Sequence, residues 1–203
     1  MDNYLRVTEI LSLAGLTDFS KVNVERLEIA QDFGINTHLA CELHDKKILD
    51  EKSLDPKIAP YLNQWKKFVK DYGLKIKASE IEKHFISKRF KFQGTPDRIT
   101  MVDNKITIID IKTSSSFYSA TSLQLAGYKI LANENGIKAT QRWAVKLSDK
   151  DYKVQPYTDN SDKKVFISAL AICYWKKQHN LLDKRLNPKI LNRAEHRWLH
   201  KIK

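Results

Sequence analysis

The stretch GTPDRITMVDNKITIIDIKTS, Gly94 to Ser114, decides how the chain is read. Two runs rich in Ile, Val and Thr flank Asp103-Asn104, a pair that tolerates the left-handed conformations a two-residue hairpin turn needs. With that pair as the turn, Val102 faces Lys105, and counting outward brings Asp97 opposite Asp110. Directly opposed residues hold their Cβ atoms about 4.5 to 5.5 Å apart, so the two carboxylates can grip one cation and repel each other without it. The same face carries Ile99, Met101, Ile106 and Ile108, an apolar set suited to packing on a helix, with the acids at its far end. Buried charge is costly unless paired or coordinating, and a metal ion supplies the missing partner.

Lys112 follows Asp110 by two positions and leaves the strand on the same face. An ammonium there can orient an attacking water or offset charge developing on a phosphate. An acid and a lysine at a strand end are more often a plain salt bridge at a sheet edge. Asp97 in register turns the reading toward catalysis.

Outward from this hairpin, the spacing predicts helices first, over Thr8 to Leu16, Val24 to Leu49 and Pro56 to Tyr72, where apolar residues recur every three to four positions. From Glu80 to Thr113 the alternation of IEKHFISKRFKF, TPDRITMV and KITIIDIKT reads as a meander of three strands. A helix over Ser119 to Asn135, ended by Asn135-Gly136, comes next. Two strands, ATQRWAVKLS and YKVQPYT, are joined by the turn Asp149-Lys150-Asp151, and an amphipathic helix runs from Asp162 to His179. The fold class expected is α/β, with a mixed central sheet flanked by helices. One domain is expected over 1–182, and a basic helical tail over 183–203 beyond a loose joint at Asp183 to Pro188.

The composition excludes several classes. At 203 residues with 42% apolar and 30% charged residues, the chain has the balance of a globular protein. No apolar run approaches the roughly 18 residues of a membrane span, and the N-terminus lacks the features of a secretory signal. Cys41 and Cys173 sit in no metal-ligand spacing, so neither a zinc site nor a disulfide framework is expected and a reducing, cytoplasmic setting fits. The net charge of +12 favours a polyanionic partner, because lysines and arginines on phosphates release counterions. More than half of the excess lies between Lys176 and Lys203, with nine basic residues against two acidic, which is also what a merely solvated helix would show.

The order of these residues resembles the PD-(D/E)xK nuclease superfamily, and within it the RecB-like exonuclease group, including its small stand-alone members of phage type. Pro96-Asp97, then Asp110-Ile111-Lys112, then Gln124-Leu125-Ala126-Gly127-Tyr128 on the next helix are similar to that group's motifs, and Gly34-Ile35-Asn36-Thr37-His38 to its helical GxxxH. The resemblance covers roughly Gly34 to Tyr157. It implies a restriction-endonuclease-like fold and a DNA exonuclease using one or two Mg2+ or Mn2+ ions, with DNA as partner and no nucleotide cofactor. It further implies Asp97, Asp110 and Lys112 as catalytic residues, and His38, Asp97, Asp110 and the Ile111 carbonyl as metal ligands.

Other positions carry weaker readings. Taken alone, His38 is an ordinary histidine on an amphipathic helix, and only the resemblance makes it a ligand. Glu42, four residues on, shares its helical face and suits a supporting role. Glu80, before the first strand, is where related nucleases carry an acid. Gln124 and Tyr128 share a helix face, and the resemblance sets them beside the centre, against substrate or the lysine. Thr113 and Ser114 could hold a phosphate or belong to a polar loop. Arg142-Trp143 and Arg197-Trp198 could stack on bases or anchor elements to the core. An endonuclease and a non-catalytic nucleic-acid-binding protein remain as alternatives, and a ribose backbone is not excluded.

Overall fold

The computed structural model describes residues 4–17 and 22–182. A two-residue strand, β1 (Leu5–Arg6), leads directly into α1 (Val7–Leu13). The long helix α2 (Val24–Asp45) begins where the Asn23 side chain accepts a hydrogen bond from the Arg26 amide, and α3 (Ala59–Asp71) carries Pro60 in its first turn. Four strands follow, β2 (Phe85–Ser87), β3 (Phe92–Gly94), β4 (Arg98–Val102) and β5 (Lys105–Lys112). Beyond them come α4 (Ala120–Glu134), β6 (Gln141–Leu147), β7 (Tyr152–Pro156) and α5 (Ser161–Gln178).

Asp103 and Asn104 both take positive φ, +48° and +59°, the pair of left-handed residues a type I′ turn demands. The register is the one the turn dictates, with Val102 opposite Lys105 and Arg98 opposite Ile109. The main sheet has the order β4-β5-β6-β7; its outer pairs are antiparallel and β5 runs parallel to β6. Helix α4 makes the crossover that a parallel pair requires. The fold is mixed α/β, as expected.

Two layers cover this sheet. On one face Ile99, Ile108 and Ala144 pack with α4, α5 and α1 through Leu125, Leu131, Phe166 and Ile10. Gly127 permits the approach of α5, since a Cβ there would stand 2.8 Å from the Phe166 ring. On the other face Val102, Ile109, Ile111, Trp143 and Val145 pack with Leu62, Trp65 and Phe68 of α3.

Three expectations need correction. The alternation after Glu80 is not one strand of a meander. Ser87 Oγ accepts the Phe90 amide at 2.9 Å and turns the chain back, so β2 and β3 form their own hairpin, and β1 adds in parallel to give a separate sheet ordered β1-β3-β2. The N-terminal region is therefore not wholly helical. Met101, placed by alternation on the packed face, is 51% exposed next to the hairpin tip. The basic helix expected over 183–203, with Arg197-Trp198, lies outside the described residues. Among those residues no helix is long and apolar enough to cross a membrane.

One buried ion pair locks α2 to the sheet. Arg98, fully buried, donates from Nε to Asp45 Oδ2 at 2.8 Å, and the Trp65 indole donates to the same carboxylate at 3.0 Å. The guanidinium also lies 5.4 Å from the Trp65 ring centroid and donates to the Asp97 carbonyl at 2.6 Å. Removing one partner of such a pair leaves an uncompensated buried charge. Asp45→Ala should therefore lower unfolding free energy by about 3 to 5 kcal/mol in denaturant titrations, whereas breaking the exposed Lys66–Glu51 pair should change it little.

Candidate active site

The Arg98–Ile109 pairing sets Asp97, the residue before β4, beside Asp110 on the α4 face. Asp97 Oδ2 accepts the Ile111 amide at 2.7 Å across the strands. Its other oxygen lies 3.2 Å from His38 Nδ1. His38 comes from α2, seven residues before Asp45, so two helical turns carry it from the Arg98 anchor to Asp97 on the same face. One turn further back, Gly34 lets α2 approach the segment after β5, for a Cβ there would stand 3.2 Å from Thr113 Oγ1.

Asp110 is held from the other side. Lys112 Nζ lies 2.7 Å from Asp110 Oδ2 and donates to Gln124 Oε1 at 2.8 Å. The Gln124 amide donates in turn to Asp110 Oδ1 at 3.2 Å and to the Tyr128 hydroxyl at 3.1 Å. Gln124 is thus fixed at both ends, and it fixes the angle between the acid and the lysine. The buried Asp110 Oδ2 thus has the Lys112 ammonium as its ion-pair partner.

The two carboxylates differ in their readiness to ionise. Burial opposes ionisation of Asp97, but His38, the Ile111 amide and Arg98 outweigh it and hold its carboxyl far below the usual range. Burial dominates at Asp110 and, reinforced by the Asp97 charge, pushes its carboxyl up against the pull of Lys112. Burial likewise raises the Tyr128 phenol, which stays protonated. At His38 burial is outweighed by Asp97, with smaller contributions from Glu82 and Asp110, and the imidazole is raised above its ordinary value.

Glu82 is the acid that the sequence reading missed. Its backbone is left-handed, with φ +49°, and its amide donates to the Asp97 carbonyl at 3.0 Å. Ligand atoms of His38, Glu82 and Asp97 all lie within 4.8 Å of one another. Glu80, two residues earlier, instead closes a short turn by accepting the Lys77 amide at 3.3 Å. Buried Glu42 ion-pairs with Lys46 at 2.7 Å, and neither it nor Asp110 is among the three clustered donors. Ser114 Oγ donates to the Ser116 carbonyl at 2.7 Å, within the loop that leaves β5. Arg142 and Trp143 anchor the core: Arg142 pairs with Asp162 at 2.9 Å, and Trp143 meets Tyr72 edge-on at 5.3 Å.

The donor set suits a hard divalent cation. It consists of carboxylates and an imidazole with no thiolate, and two buried carboxylates that raise one another's cost of ionisation, Asp97 and Asp110, are the kind of groups a cation would satisfy.

The chain belongs to the PD-(D/E)XK nuclease superfamily, whose family model matches residues 37–187. That superfamily hydrolyses phosphodiester bonds with divalent metal ions, so the chain is assigned to nucleases by descent. Among solved structures, a "Putative exonuclease" from Eubacterium rectale superposes with a TM-score of 0.56 at 10% identity, covering 90% of this chain and 84% of that one. At that identity the likeness speaks for the fold alone. The structure of SSO0001 matches at 15% identity over 86% of this chain and 77% of that one, with a TM-score of 0.43 that carries no argument. No curated protein matches the chain.

The raised His38 pKa makes a testable contribution to stability in metal-free protein. The protonated imidazole paired with ionised Asp97 stabilises the fold fully below the unfolded histidine value of about 6.5, and that contribution is lost as pH rises through the raised value. In EDTA, the thermal-stability deficit of His38→Gln against the wild type should therefore shrink as pH is raised. A deficit independent of pH would contradict the pairing.

Proposed function

We propose that the protein is a metal-dependent DNA exonuclease acting in recombination, replication or repair, with its centre at the end of the β4–β5 hairpin under α2 and α4. The observation that carries this reading is the convergence of His38, Asp97, Asp110, Lys112 and Gln124 from α2, the hairpin and α4 on one spot. The exonuclease assignment extends the sequence resemblance, and the printed name of the Eubacterium rectale neighbour agrees with it.

In this reading His38, Asp97, Asp110 and the Ile111 carbonyl hold Mg2+ or Mn2+, with Glu82 as a further carboxylate, and Glu42 supports α2 from behind. When bound, the cation supplies Lewis-acid polarisation of the phosphate and a water acidic enough to attack at neutral pH. Uncatalysed phosphodiester hydrolysis is so slow that the site must remove well over ~8 kcal/mol of barrier, which lysines alone do not supply.

The chain's own groups do the positioning. Lys112, tethered by Gln124, presents its ammonium to the scissile phosphate and orients the water. Gln124 keeps Lys112 from collapsing wholly onto Asp110, since one amide engages both. The protonated Tyr128 hydroxyl holds the other amide hydrogen and keeps that side chain from rotating. Thr113 and Ser114, directly after the lysine, contact the neighbouring phosphate. Two buried free thiols, Cys41 and Cys173, suit a reducing cytoplasmic setting.

Digestion of end-labelled linear duplex, linear single strand and closed circular DNA in Mg2+, Mn2+ or EDTA tests this reading. Linear DNA should be shortened only with metal, and circles left intact. Lys112→Ala should lose at least ~10²-fold in rate, the scale of removing one transition-state donor. Cutting of circles would replace the exonuclease with an endonuclease, and binding without cutting would remove catalysis.

A further inference from the structure

Lys112 is the first of three lysines in one row across the main sheet. The strand register pairs it directly with Lys146 on β6, and Lys146 directly with Lys153 on β7. Paired positions share a face, so all three side chains leave the sheet on the side that carries Asp97 and Asp110. Like charges placed directly opposite one another destabilise a sheet, so folding alone gives no reason for such a row.

Of the three, Lys112 is ion-paired, with Asp110 at 2.7 Å. Among the described residues Lys146 and Lys153 make no salt bridge. The Asp151 carboxylate, held by Ser148 Oγ at 2.5 Å, feels both lysines but lies outside ion-pair distance of either. Lys146 donates to the Ser115 carbonyl at 2.7 Å and lies 5.9 Å from the Phe117 ring centroid, which ties down the loop after β5. On β7, Lys153 and Gln155 face the same side and are exposed, so this end of the sheet forms an open shelf beside the centre.

We propose that Lys146 and Lys153 are a phosphate-binding track that takes the nucleic-acid backbone from the scissile position at Lys112 outward over β6 and β7. The proposal rests on the nuclease reading of the centre and extends it to the path of the substrate. Strands lie about 4.8 Å apart, so the row spans about 10 Å. A lysine on an edge strand commonly guards against sheet-to-sheet aggregation. That accounts for Lys153, and the Ser115 carbonyl holds half-buried Lys146, but neither explains three lysines placed in register.

The test is the affinity of end-labelled single strand and duplex for the full chain, measured by fluorescence anisotropy in EDTA at several salt concentrations. Lys153→Gln and Lys146→Gln are compared with Lys138→Gln, an exposed lysine before β6. Each track variant should flatten the slope of log K against log salt by about 0.7 on single strands or 0.9 on duplex, with the control unchanged. Lys153→Gln should also melt no lower than the wild type at low salt, because it relieves a like-charge pair. Wild-type slopes in both track variants, or no nucleic-acid binding at all, would overturn the track. A protein that shows these slopes yet never cleaves would refute the nuclease reading and leave the track standing.

Discussion

The buried pair of Arg98 and Asp45 is the constraint on which the site depends. α2 carries few residues that bind it to the sheet by hydrophobic burial: its buried positions are Thr37, Ala40, Cys41 and Glu42. The helix is placed instead by a charge, since Asp45 near its C-terminus meets a fully buried guanidinium on β4. Arg98 is also the residue next to Asp97, and it holds the Asp97 carbonyl as well as the helix. The same side chain therefore fixes the backbone of one acid and the helix that brings His38 to that acid. Such pairs contribute little net stability, because desolvation cancels most of the attraction, yet breaking one leaves a buried charge unpaired.

From that anchor the site is built by opposed preferences. Asp97 is surrounded by donors and stays ionised, while Asp110, buried beside it, resists ionisation. Lys112 and Gln124 compensate part of the charge, one at each oxygen of Asp110. The cost of crowding acids and lysines at one end of the sheet is borne by the apolar layers on its two faces, packed around Phe166 and Trp65.

Much of this was legible in the sequence, because the decisive features are local. The turn at Asp103-Asn104 fixed the register, and the register alone placed Asp97 beside Asp110 and Lys112 beyond them. Helical spacing likewise put Gln124 and Tyr128 on one face. What was not legible depends on contacts distant in sequence. β1 is two residues long and exists only because β3 offers it an edge. The Arg98–Asp45 pair joins residues 53 positions apart, although a charged residue inside an otherwise apolar strand was a signal that it needed a buried partner. Glu82 had no periodicity to mark it, and its left-handed backbone shows only in three dimensions.

The most direct measurement is anomalous diffraction from crystals soaked in Mn2+. A single centre assembled by α2 and the hairpin predicts a peak bounded by His38, Glu82 and Asp97, on the side of Asp110. A peak elsewhere, or none at saturating Mn2+ in a well-ordered site, would contradict it.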